Sequence, residues 1–190
     1  MGEAKPIAVV FDHNIYLDIA RLVDEPYNEM KMRSAVMGHR PDPDNPSQLL
    51  DAAAAVLLAS KGILSGRQRM QIWSSEWIER GVENAAKRSV ADDGLGWQTA
   101  SAASLRQELI TNFAVIKTNG NSLSVVKDIS YPNLSDDDAS VFHTARQALA
   151  LCSKSYCVTS DRRFRLNAPN LGVGMLAPAQ FVAMIKSARA

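Results

Sequence analysis

Four acidic residues stand where a fold could gather them: Asp12, Glu76, Asp138 and Asp161. Asp12 directly follows the apolar run 7–11, Glu76 comes shortly after Gln71-Ile72-Trp73, and Asp161 comes just after the run from Tyr156 to Thr159. Asp138 lies three residues before Val141, on the inward stripe of a helix that Ser135 opens. Two carboxylates about 5 Å apart repel by roughly 3 kcal/mol at an effective dielectric near 20. A cluster of them therefore either protonates or draws in cations. Hard oxygen donors suit Mg2+ or Mn2+ rather than zinc, and such an ion can activate water and stabilise a leaving oxygen in phosphodiester cleavage. Each acid also has a plainer use. Asp12 and Asp161 could cap helices, Asp138 completes a Ser-x-x-Asp capping box with Ser135, and Glu76 could complement a helix dipole.

The elements that must position these groups alternate between strand and helix patterns. The continuous run Ile-Ala-Val-Val-Phe at 7–11 predicts a strand buried on both faces, as in a parallel sheet. Further strands are predicted at 71–73, 123–126 and 156–159, with a weak one at 172–176. Ile15, Ile19, Leu22 and Val23 recur at helical spacing. Residues 48–60 read as a helix that stops near Gly62. Ser74 or Ser75 can cap the next helix, with Ile78, Val82 and Ala85 on its inner face. Another helix is expected over 99–116. The helix opened by Ser135 carries Val141, Ala145, Ala148, Leu149 and Cys152 on one stripe, and Pro178 starts a terminal helix. The fold class expected is α/β: one domain over 1–190, with three α/β/α layers and a central parallel sheet of four to five strands. Residues 24–47 hold Pro26, Pro41, Pro43, Pro46 and Gly38 with little apolar periodicity. They read as a long loop insertion that packs poorly and moves. In open parallel sheets ligands bind at the carboxyl ends of the strands, which is where Asp12, Glu76 and Asp161 fall.

Composition narrows the class of function. The chain has 190 residues, 46% of them hydrophobic and 22% charged, which suits one globular core and excludes global disorder. A formal net charge of +1 excludes binding nucleic acid through the overall field, so any such contact must come from a local patch. Arg162, Arg163 and Arg165 after Asp161, and Lys31, Arg33 and Arg40 in the insertion, could supply one by holding phosphates. An ordinary solvated surface would look the same. Cys152 and Cys157 make neither a disulfide framework nor a zinc spacing and read as small core residues. The opening residues are not a signal peptide, and no run reaches the length of a membrane span, so a soluble cytoplasmic protein is expected.

Three segments together resemble a known family. Val9-Val10-Phe11-Asp12-His13-Asn14-Ile15-Tyr16-Leu17-Asp18 resembles the opening of PIN domains, where a strand runs into Asp, then commonly Thr, then Asn. The segment from Asp138 to Ala145 resembles their third-acid helix, and Val158-Thr159-Ser160-Asp161-Arg162-Arg163-Phe164 resembles their last signature. Ser74-Ser75-Glu76-Trp77-Ile78 sits where PIN proteins carry a second acid. The resemblance implies a Mg2+- or Mn2+-dependent endoribonuclease, often the toxin of a toxin–antitoxin pair and often a homodimer. It assigns Asp12, Glu76, Asp138 and Asp161 as metal ligands, with Asn14 and Ser160 organising the site by hydrogen bonds. Arg162 and Arg163 would bind the RNA substrate. The chain departs from the pattern in four places. His13 replaces a small residue, Glu79 competes with Glu76, Asp136 and Asp137 compete with Asp138, and the added length at 24–47 and 91–112 exceeds that of the compact toxins.

Other residues invite claims. His13 beside Asp12 could be a ligand, but the neighbouring acids favour a harder cation. His143 reads as structural and His39 as solvated. Trp73, Trp77 and Trp97 could stack on bases, although filling the core or a partner surface is the commoner use. A haloacid-dehalogenase-like phosphatase would also begin with a strand and Asp, but it needs a second Asp two residues on as proton donor, where this chain has Asn14. A non-catalytic PIN-like module binding nucleic acid or protein is the remaining alternative.

Overall fold

The computed structural model describes residues 4–38, 47–65, 68–92, 94–124 and 130–189. Strand β1 (Ile7–Phe11) is buried at every position, as an unbroken apolar run requires. It pairs in parallel with β3 (Gln68–Ser75) on one edge and with β5 (Lys154–Val158) on the other. β5 continues in parallel to β6 (Val173–Leu176), and β3 to the short β4 (Ser122–Leu123). β2 (Ile63–Ser65) runs antiparallel along the start of β3. The strand order is β2-β3-β1-β5-β6, with β4 also on β3.

Helices flank this sheet. They are α1 (His13–Leu22), α2 (Glu29–Gly38), α3 (Gln48–Ala59), α4 (Glu76–Lys87), α5 (Thr99–Ser104), α6 (Asp136–Leu151), α7 (Arg162–Asn167) and α8 (Pro178–Arg189). α6 packs on β1, β3, β5 and β6, whereas α3 packs with α1, α2 and α8 and reaches β3. Serine caps set three of the starts. The hydroxyls of Ser47, Ser75 and Ser135 accept the amides of Leu50, Ile78 and Asp138. Beyond α5 the chain winds as a π-helix over Leu105–Val115, within the helical stretch that the sequence predicts over 99–116. The chain is thus a mixed α/β protein with a central, mostly parallel sheet flanked by helices. Among the described residues no helix is long and apolar enough to cross a membrane.

Three details differ from the sequence reading. Residues 24–38 are not a poorly packed loop, because they contain α2. One residue of α2, Met32, is buried, so its apolar pattern is almost silent. It is held by contacts remote in sequence: the Tyr27 amide donates to Glu108 Oε2 at 2.9 Å, and Glu29 pairs with Lys117. The rest of the expected insertion, 39–46, lies outside the described residues. β2 adds an antiparallel strand that the sequence reading did not anticipate. β4 covers only the start of the strand expected at 123–126, and 125–129 lie outside the described residues. Gly120 explains how the chain turns tightly into β4. A Cβ there would stand 1.7 Å from the carbonyl oxygen of Ile72, so no other residue fits that approach.

Candidate functional site

From β1 the chain builds outward to β3 and β4, then returns to lay β5 and β6 on the opposite edge. The carboxyl ends of β1 and β5 therefore flank the point where the winding reverses, which is where open α/β sheets leave a crevice. Asp12 stands there. Its amide donates to the Val158 carbonyl at 3.0 Å, extending the β1–β5 pairing by one step. Asp12 occupies the N-cap position of α1, yet its side chain caps nothing. The carboxylate is fully buried. Oδ2 accepts the Thr159 hydroxyl at 2.7 Å and stands 3.5 Å from the Asn14 amide nitrogen, at the limit of a hydrogen bond. His13 Nδ1 lies 2.8 Å from Oδ1. Oδ1 has no further partner among the described residues, and His13 holds it by hydrogen bonding and charge together.

Two further acids approach from β5 and α6. The Asp161 amide donates to Thr159 Oγ1 at 3.0 Å, so Thr159 links the backbone after β5 to the Asp12 carboxylate. The Asp161 side chain caps α7, accepting the amides of Arg163 at 2.6 Å and Phe164 at 3.1 Å. The plain capping role thus holds for Asp161 and fails for Asp12. Asp138 is half-buried in the first turn of α6, while Asp136 and Asp137 are exposed. The charges of Asp12 and Asp161 reach Asp138. Asp137 turns elsewhere and accepts the Trp77 indole N–H at 3.1 Å.

The electrostatics record this crowding. Burial pushes the Asp138 carboxyl above its ordinary range, and the charges of Asp12 and Asp161 add to the rise. Burial also pushes Asp12 upward, but His13 and the Thr159 hydrogen bond outweigh it and hold the carboxyl below its usual value. Burial lowers His13, and Asp12, with help from Asp137 and Asp138, more than reverses that. His13 is thus the group whose protonation would compensate the buried acid.

Glu76 stands apart from this group. It opens α4, pairs with Arg80, and shares a cavity of about 690 Å³ with His13 and Asp137. Glu79, its competitor, accepts the Ser122 hydroxyl at 2.6 Å. Arg162 and Arg163 are exposed in the first turn of α7, next to Asp161. Ser160 Oγ is buried without a partner, so it makes none of the hydrogen bonds expected of it. Thr159 does that work instead. The sequence reading placed Thr159 inside a strand, and the available signal was its hydroxyl at the strand end, two residues before Asp161. His143, expected to be structural, contacts Tyr131 Oη at 3.3 Å. Among the described residues no three His, Cys, Asp or Glu side chains stand ready to share one metal ion. No family model, curated protein or solved structure matches the chain.

Proposed function

We propose that the chain is a metal-dependent endoribonuclease of the PIN type, with a three-layer α/β/α fold and its reaction centred on Asp12. The observation that carries this reading is a buried carboxylate that caps no helix, lies at the reversal of the strand order, and acts together with Asp161 on the half-buried Asp138. Fully burying an acid is costly, and a fold that needed only a helix cap would leave it at the surface. The Asp138 carboxyl is raised by burial and by the charges of Asp12 and Asp161, which a hard cation such as Mg2+ or Mn2+ would relieve. Asp12, Asp138, Asp161 and Glu76 would hold the ion once their side chains close on it, since among the described residues no three of them are already gathered for one. A bound ion would supply an activated water and stabilise the leaving oxygen.

The residues of the chain would do the rest. Thr159 and Asn14 orient Asp12, and Arg162 and Arg163 offer their guanidinium groups to phosphates beside Asp161. An antitoxin partner, a homodimer and a cytoplasmic setting belong to the same proposal. The pairing of Glu76 with Arg80 favours one rival, a PIN-like module that binds RNA or protein without cutting. Cleavage of single-stranded RNA with Mn2+ or Mg2+ separates the two readings. Asp12→Asn should remove cleavage while the circular dichroism spectrum stays that of the wild type. Wild-type cleavage by Asp12→Asn would sink the nuclease reading, and absence of cleavage by the unaltered protein would favour the rival.

A further inference from the structure

Gly81 lies in the middle of α4, where glycine is less favourable than alanine. Packing does not demand it, because a Cβ at Gly81 would meet no atom within 4 Å. It opens instead onto the cavity beside His13. Trp77, one turn earlier on the same helix face, is 39% exposed and lines that cavity. Its indole N–H is engaged by Asp137, which ties the ring to α6 and leaves apolar ring surface available. Asn84 and Arg88 continue the row along the cavity, and Arg80 stands beside it. Positions 77, 81, 84 and 88 recur at the spacing of one helical stripe. The other tryptophans have different uses, since Trp73 is buried and Trp97 stacks on Tyr27.

We propose that this cavity is a subsite for one unpaired base of a single-stranded RNA, lined by His13, whose ring abuts Asp12. The base stacks on Trp77 in the space that Gly81 leaves open. The Asn84 amide, with both donor and acceptor atoms, faces its edge, and Arg88 and Arg80 flank it for the adjoining phosphates. The Arg80–Glu76 pair is exposed, so a phosphate displaces it at small cost. The inference deepens the nuclease reading and rests on RNA being the substrate.

The test is binding of a fluorescein-labelled single-stranded RNA hexamer to the full chain in EDTA, so that no cleavage intrudes. A set of hexamers with one abasic position is measured beside it. Stacking of one base on an aromatic ring is worth about 1–3 kcal/mol, so one abasic position should weaken binding about tenfold. Trp77→Ala should match that loss and become indifferent to the abasic position, whereas Trp77→Phe retains most of the affinity. Gly81→Leu fills the slot without a backbone clash. It should lose affinity about tenfold while melting no lower than the wild type, which separates the effect from misfolding. If Gly81→Leu and Trp77→Ala both bind the hexamer as the wild type does, the subsite is overturned. Cleavage by those variants at the unaltered rate would leave the nuclease reading intact. Failure of the wild type both to bind and to cut RNA would overturn the two together, and would turn attention to an aromatic side chain of a protein partner as the occupant.

Discussion

Two regions that meet at His13 are built in contrasting ways. On the β1–β5 side, Asp12 is held by main-chain pairing to Val158 and by Thr159, in full burial. On the α4 side, Glu76, Trp77 and Arg80 project from a helix face into an open cavity, and their partners are other exposed side chains. Position on the first side is set by the sheet and cannot be adjusted without breaking it. On the second it is set by weak, screened pairs that a ligand can replace. The contrast is between a carboxylate fixed by the sheet and a helix face whose side chains can rearrange.

Substitutions can break or sharpen this contrast. After Asp12→Asn, the largest effect is expected from Thr159→Val, which leaves a buried carboxylate oxygen with only the long contact to Asn14. Such a loss costs about 1–3 kcal/mol, and each kcal/mol lowers the melting temperature of a chain this size by roughly 2–4 °C. Thr159→Ser should restore most of it. A melting temperature unchanged by Thr159→Val would show that the β1–β5 side is not rigidly built.

Next in size is the response to metal. Mn2+ at ten times its dissociation constant stabilises the folded chain by about 1.4 kcal/mol, or roughly 3–5 °C. Asp138→Asn should blunt that response. The raised Asp138 carboxyl favours the folded state when protonated, below its unfolded value, and loses that contribution as pH rises through the folded one. At neutral pH without metal, Asp138→Asn should therefore melt no lower than the wild type. Equal metal responses in the two proteins would reduce Asp138 to a helix-start residue.

A smaller effect, read by imidazole NMR, concerns the histidines. His13 should titrate above the ordinary value of about 6.5 and His143 below it, since burial and Arg146 lower the latter. The charged form of His13 stabilises the fold below the unfolded value, and that contribution is lost as pH rises through the folded one. Asp12→Asn should bring His13 down and leave His143 in place. Coincident titrations in the wild type would mean that Asp12 and His13 are not in contact. Smallest of all, Glu76→Gln breaks an exposed pair and should shift stability by less than about 1 kcal/mol. Its loss of RNA cleavage should be partial. A loss as complete as that of Asp12→Asn would place the α4 acid on the rigid side.

The sequence made the rigid side legible and the adaptable side obscure. Five consecutive apolar residues followed by Asp12 announce a buried strand and its end, and Ser135 before Asp138 announces a helix start. These features are local, and local pattern is what a sequence displays. α2 was hidden because one buried methionine makes no periodicity, and because what holds it, Glu108 and Lys117, is about eighty residues away. The choice of Asp138 over Asp137, and the role of Thr159 in place of Ser160, depend on how α6 and β5 are rotated against β1. That rotation is decided by packing across the sheet, which no single segment encodes.

The bond from Thr159 to Asp12 spans 147 residues of chain. At a synthesis rate of roughly 5–20 residues per second, about 7 to 30 seconds separate the two residues as they leave the ribosome. Throughout that interval β1 has one edge without its partner β5, and Asp12 has no hydroxyl to receive. A growing or prematurely ended chain thus carries the carboxylate without the pocket that orients it. Whatever chemistry Asp12 performs, it waits for the synthesis of β5 and the turn that follows it.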